Sequence, residues 1–335
     1  MLQLKNGTPF PGTIYLIPDA EGIDSLFTVV KGTLTLGERL SLAEQQVPVA
    51  LVDAYHGEPG KSTIKLPSDV SLMKPGTDVL LLGSAHAPGG QATTQMEVSL
   101  AAGPVRKTIR VFGDRVWERS GPGHAIARPA PFDTMPLVWE RAFGGTDRAG
   151  AGPRGEARNP VGLGYRARDG EKPLDGLPLP NLEDSEHPIG SWKDTPPPVC
   201  FAPICGHWEP RKSYAGTYDA AWQTQRAPFL PEDFDPRFCQ LAPAGLVALG
   251  HLAAGTVVEV RGATPSGLLR FQLPPVRVEV TYVLDHAPQV QPANLDTVLI
   301  EPDESRVVLV WRAALRCDKK ALRVNEVRPA VLKAA

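Results

Sequence analysis

Proline and glycine punctuate this chain from end to end: 35 prolines and 32 glycines occupy a fifth of its 335 residues. Proline lacks the N–H that an interior helical turn needs, and its ring clashes with the turn before it. Glycine costs a helix interior about 1 kcal/mol relative to alanine. Long helices are therefore disfavoured over most of the sequence, and short strands joined by ordered turns are what it can build. Hydrophobic residues make up 42% of the chain, enough for a real core, so the punctuation is not that of a disordered polymer.

Strand patterns occupy both ends. In "TLTLG" (33–37) Leu34 and Leu36 fall on one face, and "VLLLG" (79–83) reads as a buried strand. "KTIRVFGDRVWE" (107–118) reads as a hairpin turning at Gly113-Asp114. Towards the C-terminus, "TVVEVRG" (256–262) sets Val258 and Val260 on one face, and "LLRFQLP" (268–274) does the same with Leu269, Phe271 and Leu273. "VRVEVTYVL" (276–284) has the cleanest period of two, and "VLIEPDESRVVLVW" (298–311) reads as two strands around a Pro-Asp-Glu-Ser turn.

Between residues 121 and 245 the alternation fades and proline, glycine and aromatics dominate. Short helices are expected at 134–142 and around 232–241, where "PEDFDPRF" places acids near a helix start. The stretch 169–199 cannot be a regular helix or a central strand, and its Leu, Ile and Trp residues suit a loop packed on something. The expected fold is mainly β, with sandwich or barrel-like strands at both ends and a loop-rich middle containing short helices. The corresponding divisions are an N-terminal β region (1–120), an aromatic and arginine-rich motif region (121–245), and a C-terminal β region and tail (246–335). Whether the two β regions form one core or two is left open by period alone.

Charge and cysteine usage exclude several classes. The formal net charge of −2 argues against a nucleic-acid binder that relies on a general basic field. No stretch approaches the roughly 18 apolar residues that span a membrane. "MLQLKNGTPFPGT" lacks a basic head followed by an apolar run, and four cysteines are not a disulfide framework, so the expected location is cytoplasmic.

Three kinds of chemistry are conceivable in the middle region. Cys200, Cys205 and His207, joined by Cys239, offer zinc-type ligands, but C-x4-C-x-H is not a standard knuckle, and buried thiols serve as small hydrophobes. Cys205 and His207 share a face on an extended strand, yet nothing around them marks an activated nucleophile. Asp133, Glu140, Asp147, Glu183, Asp219 and Asp233 could supply a carboxylate pair, with Trp139, Trp192, Trp208 and Trp222 to stack on sugar. The competing reading is structural: acids beside Arg and Trp in such loops form ion pairs and caps. Gly144-Gly145 and "NPVGLGY" (159–165) are not phosphate motifs. Arg141, Arg158, Arg211 and Arg226, set among Trp139, Tyr165, Trp208, Tyr214, Tyr218 and Trp222, suit either a protein-binding surface or loops locked onto sheets.

Several separated motifs occur in one order: "SLFTVVKGTLTL" (25–36), "PFDTMPLVWERAFGGTD" (131–147), "NPVGLGY" (159–165), "LPNLED" (179–184) and "AGTYDAAWQTQRAPFLPEDFDPRFCQLAP" (215–243). Together they resemble domain of unknown function family 2169 over most of residues 10–310. The resemblance implies a cytoplasmic adaptor or chaperone encoded in bacterial type VI secretion clusters, near genes for the spike protein VgrG, PAAR-tip proteins and toxic effectors. Such a protein stabilises an effector, bound through a PAAR-like or N-terminal segment, and helps load it onto the VgrG spike. It implies no enzyme activity and no catalytic set, cofactor, metal, nucleic acid or membrane partner. Phe132, Asp133, Trp139, Glu140, Arg141, Asn159, Trp208, Arg211, Tyr218, Trp222 and Arg226 are the motif residues expected to act as scaffold or partner contacts. The alternative is a carbohydrate-active enzyme or lectin-like module using the central Trp and carboxylate residues.

Overall fold

A computed structural model of the chain describes residues 2–37, 39–147, 152, 154–167 and 173–333. Strand accounts for 42% of it and helix for 9%, so the fold is mainly β with only short helices.

The largest sheet has the order Val247–Leu249, Gly76–Leu81, Asn294–Glu301, Arg306–Arg316, Asp24–Thr35, Gly12–Pro18, and Ser41–Leu42 also pairs with Asp24–Thr35. Gly76–Leu81 and Asn294–Glu301 run parallel, whereas the other pairs are antiparallel. A five-stranded sheet follows the order Leu182–Asp184, Val105–Phe112, Gln95–Ala102, Val257–Arg261, Leu268–Gln272. A four-stranded sheet follows the order Gln3–Leu4, Val324–Lys333, Val276–Leu284, Ala287–Pro292.

Strands from the two ends of the chain therefore interleave within the same sheets. Val30, Leu80, Val298 and Leu309 of the large sheet share one core with Val98, Leu100, Ile109, Val258 and Val260 of the five-stranded sheet. A second core joins Leu26, Ala313 and Leu315 of the large sheet to Val280, Tyr282 and Val327 of the four-stranded one. The two β regions meet in a common core.

The large sheet also carries charge inside. Lys31 Nζ donates to Asp69 Oδ2 at 2.8 Å, Lys74 Nζ to Asp78 Oδ2 at 2.8 Å, and Arg312 Nε to Asp296 Oδ2 at 2.6 Å, and all six side chains are buried. The aspartates then hold covering loops. Asp69 accepts from the backbone N–H of Ala50, and Asp78 from those of Leu241 and Ala242. Buried charges are tolerable only when paired and hydrogen-bonded, and here every one is.

Several elements differ from the sequence expectation. Asp24–Thr35 is covered on both faces: Thr33 is fully buried, with its N–H bonded to Gln46 and its hydroxyl accepting from Val47 N–H. Residues 107–118 are not a hairpin. Val105–Phe112 pairs with Gln95–Ala102 and Leu182–Asp184, while Trp117–Ser120 pairs with Gly123–Ile126. Gly113 lets the chain leave the sheet, because a Cβ there would lie 1.8 Å from the Ala130 carbonyl oxygen. The 134–142 segment is a strand, Thr134–Pro136, followed by a 3-10 turn, Trp139–Arg141. Backbone pairing of 134–136 with Ser84–His86 takes the place of helical bonds. Around 232–241 the short helix is Pro236–Cys239, again a 3-10 turn. The expected C-terminal tail contains a ten-residue strand, Val324–Lys333, which lies inside the four-stranded sheet. Of the 169–199 loop, 169–172 lie outside the described residues, and the rest does pack on something: Leu174 and Leu179 form a small core with Trp117.

The Asp296 carboxyl is fully buried; desolvation pushes its pKa upward, but the Arg312 and Lys74 charges outweigh this and hold it below its ordinary 3.8. A depressed carboxylate stabilises the fold above the unfolded pKa and loses that contribution as pH falls through the folded one. At neutral pH, Asp296→Asn is expected to destabilise by about 3–5 kcal/mol, because Arg312 loses its buried partner. Melting temperatures taken across a pH series should show the gap to wild type narrowing below pH 3.8.

Candidate partner-binding groove

The segment 131–147 is a structural junction. Phe132, Met135, Leu137, Trp139 and Phe143 are buried, as expected of apolar anchors, and Val138 is half-buried. Trp139 is 2% exposed; its indole N–H donates to the carbonyls of Ala202 and Pro203, and its ring meets Trp208 edge-on at 6.2 Å. Glu140 accepts from the N–H and hydroxyl of Thr63, at 2.7 and 2.5 Å, and that hydroxyl accepts from the Trp139 N–H at 2.8 Å. Arg141 donates to Asn181 Oδ1 at 2.9 Å and lies 3.4 Å from Asp114. Asn159 is buried and donates to the carbonyls of Trp139 and Phe143. Gly144 (φ +149°) is required there, since a Cβ would fall 2.1 Å from the Asn159 carbonyl oxygen. Thus "PFDTMPLVWERAFGG", "NPVGLGY" and "LPNLED" are read together because they bond to each other. Asp133 stands apart, exposed, and only its backbone carbonyl is used, accepting from Ala87 N–H.

The 215–243 motif does something different. Asp219 caps the helix Ala220–Gln225 by accepting from Trp222 N–H at 2.8 Å, and the helix ends at Arg226, two residues before Pro228. The Trp222 indole N–H then donates to the Phe229 carbonyl at 2.9 Å and folds the segment back. Arg226 donates to the carbonyls of Leu230 and Ala20, pinning the segment to the turn after Gly12–Pro18. Gly22 in that turn has φ +82°, and a Cβ there would come within 3.1 Å of the Phe229 ring. Tyr218, 53% exposed, packs edge-on against Trp222 at 4.7 Å. Asp235 caps Pro236–Cys239, and Asp233 accepts from both the N–H and the hydroxyl of Thr217.

This bracing presents Phe229, Leu230, Phe234 and Phe238 to a groove of about 490 Å³, which Ile17, Pro18, Val70 and Leu72 also line. Its charged lining is Asp53, Lys74 and Arg211. Arg211 is buried beside Phe238, 5.1 Å from the ring centroid, and donates to the carbonyls of Ile204 and Phe238. Desolvation lowers its pKa, opposed at longer range by Asp78 and Asp53. The structure thus brings Arg211 to the groove, with Arg226 bracing its margin. It places Trp139, Asn159 and Trp208 in the interior.

The residues proposed for other chemistry are engaged differently. Cys200 is buried, its thiol donating to the Leu137 carbonyl, and burial pushes Cys200 and Cys205 each up to about 12, away from the thiolate a nucleophile needs. His207 Nε2 lies 3.0 Å from the Gly60 carbonyl oxygen. Among the described residues, the close grouping of possible metal ligands is Asp184, Glu186 and His187 at the surface, and it includes none of these. Glu183 is bonded to Arg115 in the interior. Sequence reading missed the groove walls at 17–18 and 70–72, which are separated from the 215–243 motif by long stretches of chain and carry no pattern of their own. It also missed the buried ion pairs, although Lys31 in "TVVKGTL" and Arg312 in "LVWRAAL" are lone charges in apolar runs.

A mainly β chain with an apolar groove braced by its central motif region is the class of protein defined by these features. The family model described as "Uncharacterized protein conserved in bacteria (DUF2169)" matches residues 21–312, and the chain belongs to that family. Neither a search of curated proteins nor one of solved structures finds a match. Among the described residues, no helix is long and apolar enough to cross a membrane.

Removing the Trp139 ring deletes a buried aromatic together with two indole hydrogen bonds. Trp139→Ala is expected to lower stability by about 3–5 kcal/mol, measured by denaturant unfolding. A variant that unfolds at wild-type denaturant concentrations would mean that the junction does not depend on this ring.

Proposed function

We propose that this protein is a bacterial adaptor that holds a type VI secretion effector and helps load it onto a VgrG or PAAR spike. The observation that supports it most is the groove of about 490 Å³, apolar along most of its lining and edged by Phe229, which is 38% exposed. Aromatic side chains in a concave apolar site are the groups that carry binding energy in protein interfaces. The local caps and indole bond hold those side chains in place beforehand, so little conformational entropy is lost on binding. An adaptor must also release its cargo, so the interface expected of it is of moderate affinity and not obligate.

The carbohydrate reading has one feature in its favour, a surface depression of about 280 Å³ lined by Trp222, Asp219, Glu232 and Asp233. Asp233, however, is held below its ordinary range by the N–H and hydroxyl of Thr217, the wrong direction for a proton donor at neutral pH. Trp139 and Trp208 are in the core, where no sugar ring reaches them.

Tagged protein expressed in its native host should co-purify with a toxin encoded near a type VI spike gene, identified by mass spectrometry. Deleting the gene should lower both the effector's abundance and the killing of competitor cells. Killing that survives the deletion, with normal effector levels, would contradict the adaptor role.

A further inference from the structure

Gly12–Pro18 is the last strand of the large sheet. Its pairing with Asp24–Thr35 is antiparallel, with Gly12 opposite Val30 and Pro18 opposite Asp24. Two hydrogen bonds fix which residues point inward. Lys31 N–H donates to the Pro11 carbonyl, and Asp19 N–H to that of Ile23. Ladder bonds in an antiparallel pair alternate, so Thr13, Tyr15 and Ile17 bond to Asp24–Thr35. The N–H and C=O groups of Ile14 and Leu16 point outward, as does the Pro18 carbonyl. Among the described residues, no other strand pairs with this edge.

Exposed edges in natural proteins are blunted by charges, proline or bulges. The outer strand of the four-stranded sheet, Ala287–Pro292, follows this rule with Pro288 and Pro292. Gly12–Pro18 reads GTIYLIP, has no charged residue and no proline before its last position, and leaves Leu16 46% exposed. Its far end runs directly into the groove, which Ile17 and Pro18 line. In the groove the Arg211 guanidinium is bonded to two carbonyls, and the opposite charge of Asp53 is held by the N–H of Ser68.

We propose that Gly12–Pro18 is a docking edge, completed by an extended segment of a partner protein that adds a strand alongside Ile14 and Leu16 and continues into the groove. The segment is apolar where it pairs and carries an acidic side chain near Arg211. Backbone bonds supply affinity independent of sequence, and the groove supplies specificity, as in other strand-addition complexes. A second copy of this chain is the less suitable occupant. Two such strands paired about a two-fold axis would join edge to edge, and neither would enter a groove. The inference rests on the adaptor reading only for the identity of the partner.

The probe is a displayed library of short random peptides selected against the purified protein. Two variants separate the edge from the groove. Leu16→Pro removes an outward N–H and leaves the ladder to Asp24–Thr35 intact, a change that edge strands tolerate. Phe229→Asp places a negative charge at the half-open margin of the groove. Melting temperatures establish that both remain folded. The expected outcome is selected peptides with alternating apolar residues and an acid, each variant weakening binding about thirtyfold, the loss typical of a lost anchor. Failure to select any peptide, or peptides that bind both folded variants as tightly as wild type, would overturn the proposal. So would a wild-type dimer that Leu16→Pro makes monomeric. If peptides bind as expected but no effector co-purifies from the host, the docking edge stands and the adaptor role fails. If an effector co-purifies equally with both variants, the adaptor role stands and the docking edge fails.

Discussion

Lys31, Lys74 and Arg312 reach a buried space beside the large sheet, and each meets an aspartate there. These pairs do more than neutralise one another. Asp69 also holds the backbone at Ala50, and Asp78 holds it at Leu241 and Ala242. Arg312 further donates to the carbonyls of Asp69 and Ser71 and to the Tyr15 hydroxyl. One connected set of charges therefore fixes the 50–72 loops and the end of the 215–243 motif against the same sheet. Both stretches line the groove. An apolar interface of the same area would be non-directional, whereas a charge pair that loses its geometry leaves a buried ion uncompensated. The groove owes its shape to that intolerance.

The motif residues divide into two jobs. Trp139, Glu140, Arg141 and Asn159 bond to one another's neighbours and to Thr63, Asn181 and Ala202, so they join loops that are distant in sequence. Trp222 and Arg226 brace the stretch that carries Phe229, and Arg211 bonds across to Phe238. Of the tryptophans that look like a sugar platform in sequence, Trp139 and Trp208 are spent in the core. The apolar residues with room for a partner lie in the second.

Strand period was legible where only one face of a strand is buried. Val258 and Val260, Phe271, and Val278, Val280 and Tyr282 all turn inward as their alternation implies. It was misleading where both faces are covered, as at Thr33, because a polar residue that finds a buried partner looks the same in sequence as one facing water. The 107–118 segment failed for a related reason: Gly113 serves a close approach to Ala130 that sequence does not display. The groove was half legible. Its 215–243 side carries a dense motif, but Ile17, Val70 and Leu72 become neighbours of Phe229 and Phe238 only through long-range pairing. The ion pairs share that origin, since Asp78 meets Gln240 across 162 positions of sequence.

Hydrogen–deuterium exchange on the protein alone and bound to the proposed effector partner is the most direct measurement of where such a partner would sit. The expected result is slowed exchange at Ile14, Leu16 and residues 226–241, with the proline-blunted edge 287–292 unchanged. Protection confined to 276–292, with 12–18 exchanging as fast as in the free protein, would contradict the assignment of the groove as the effector site.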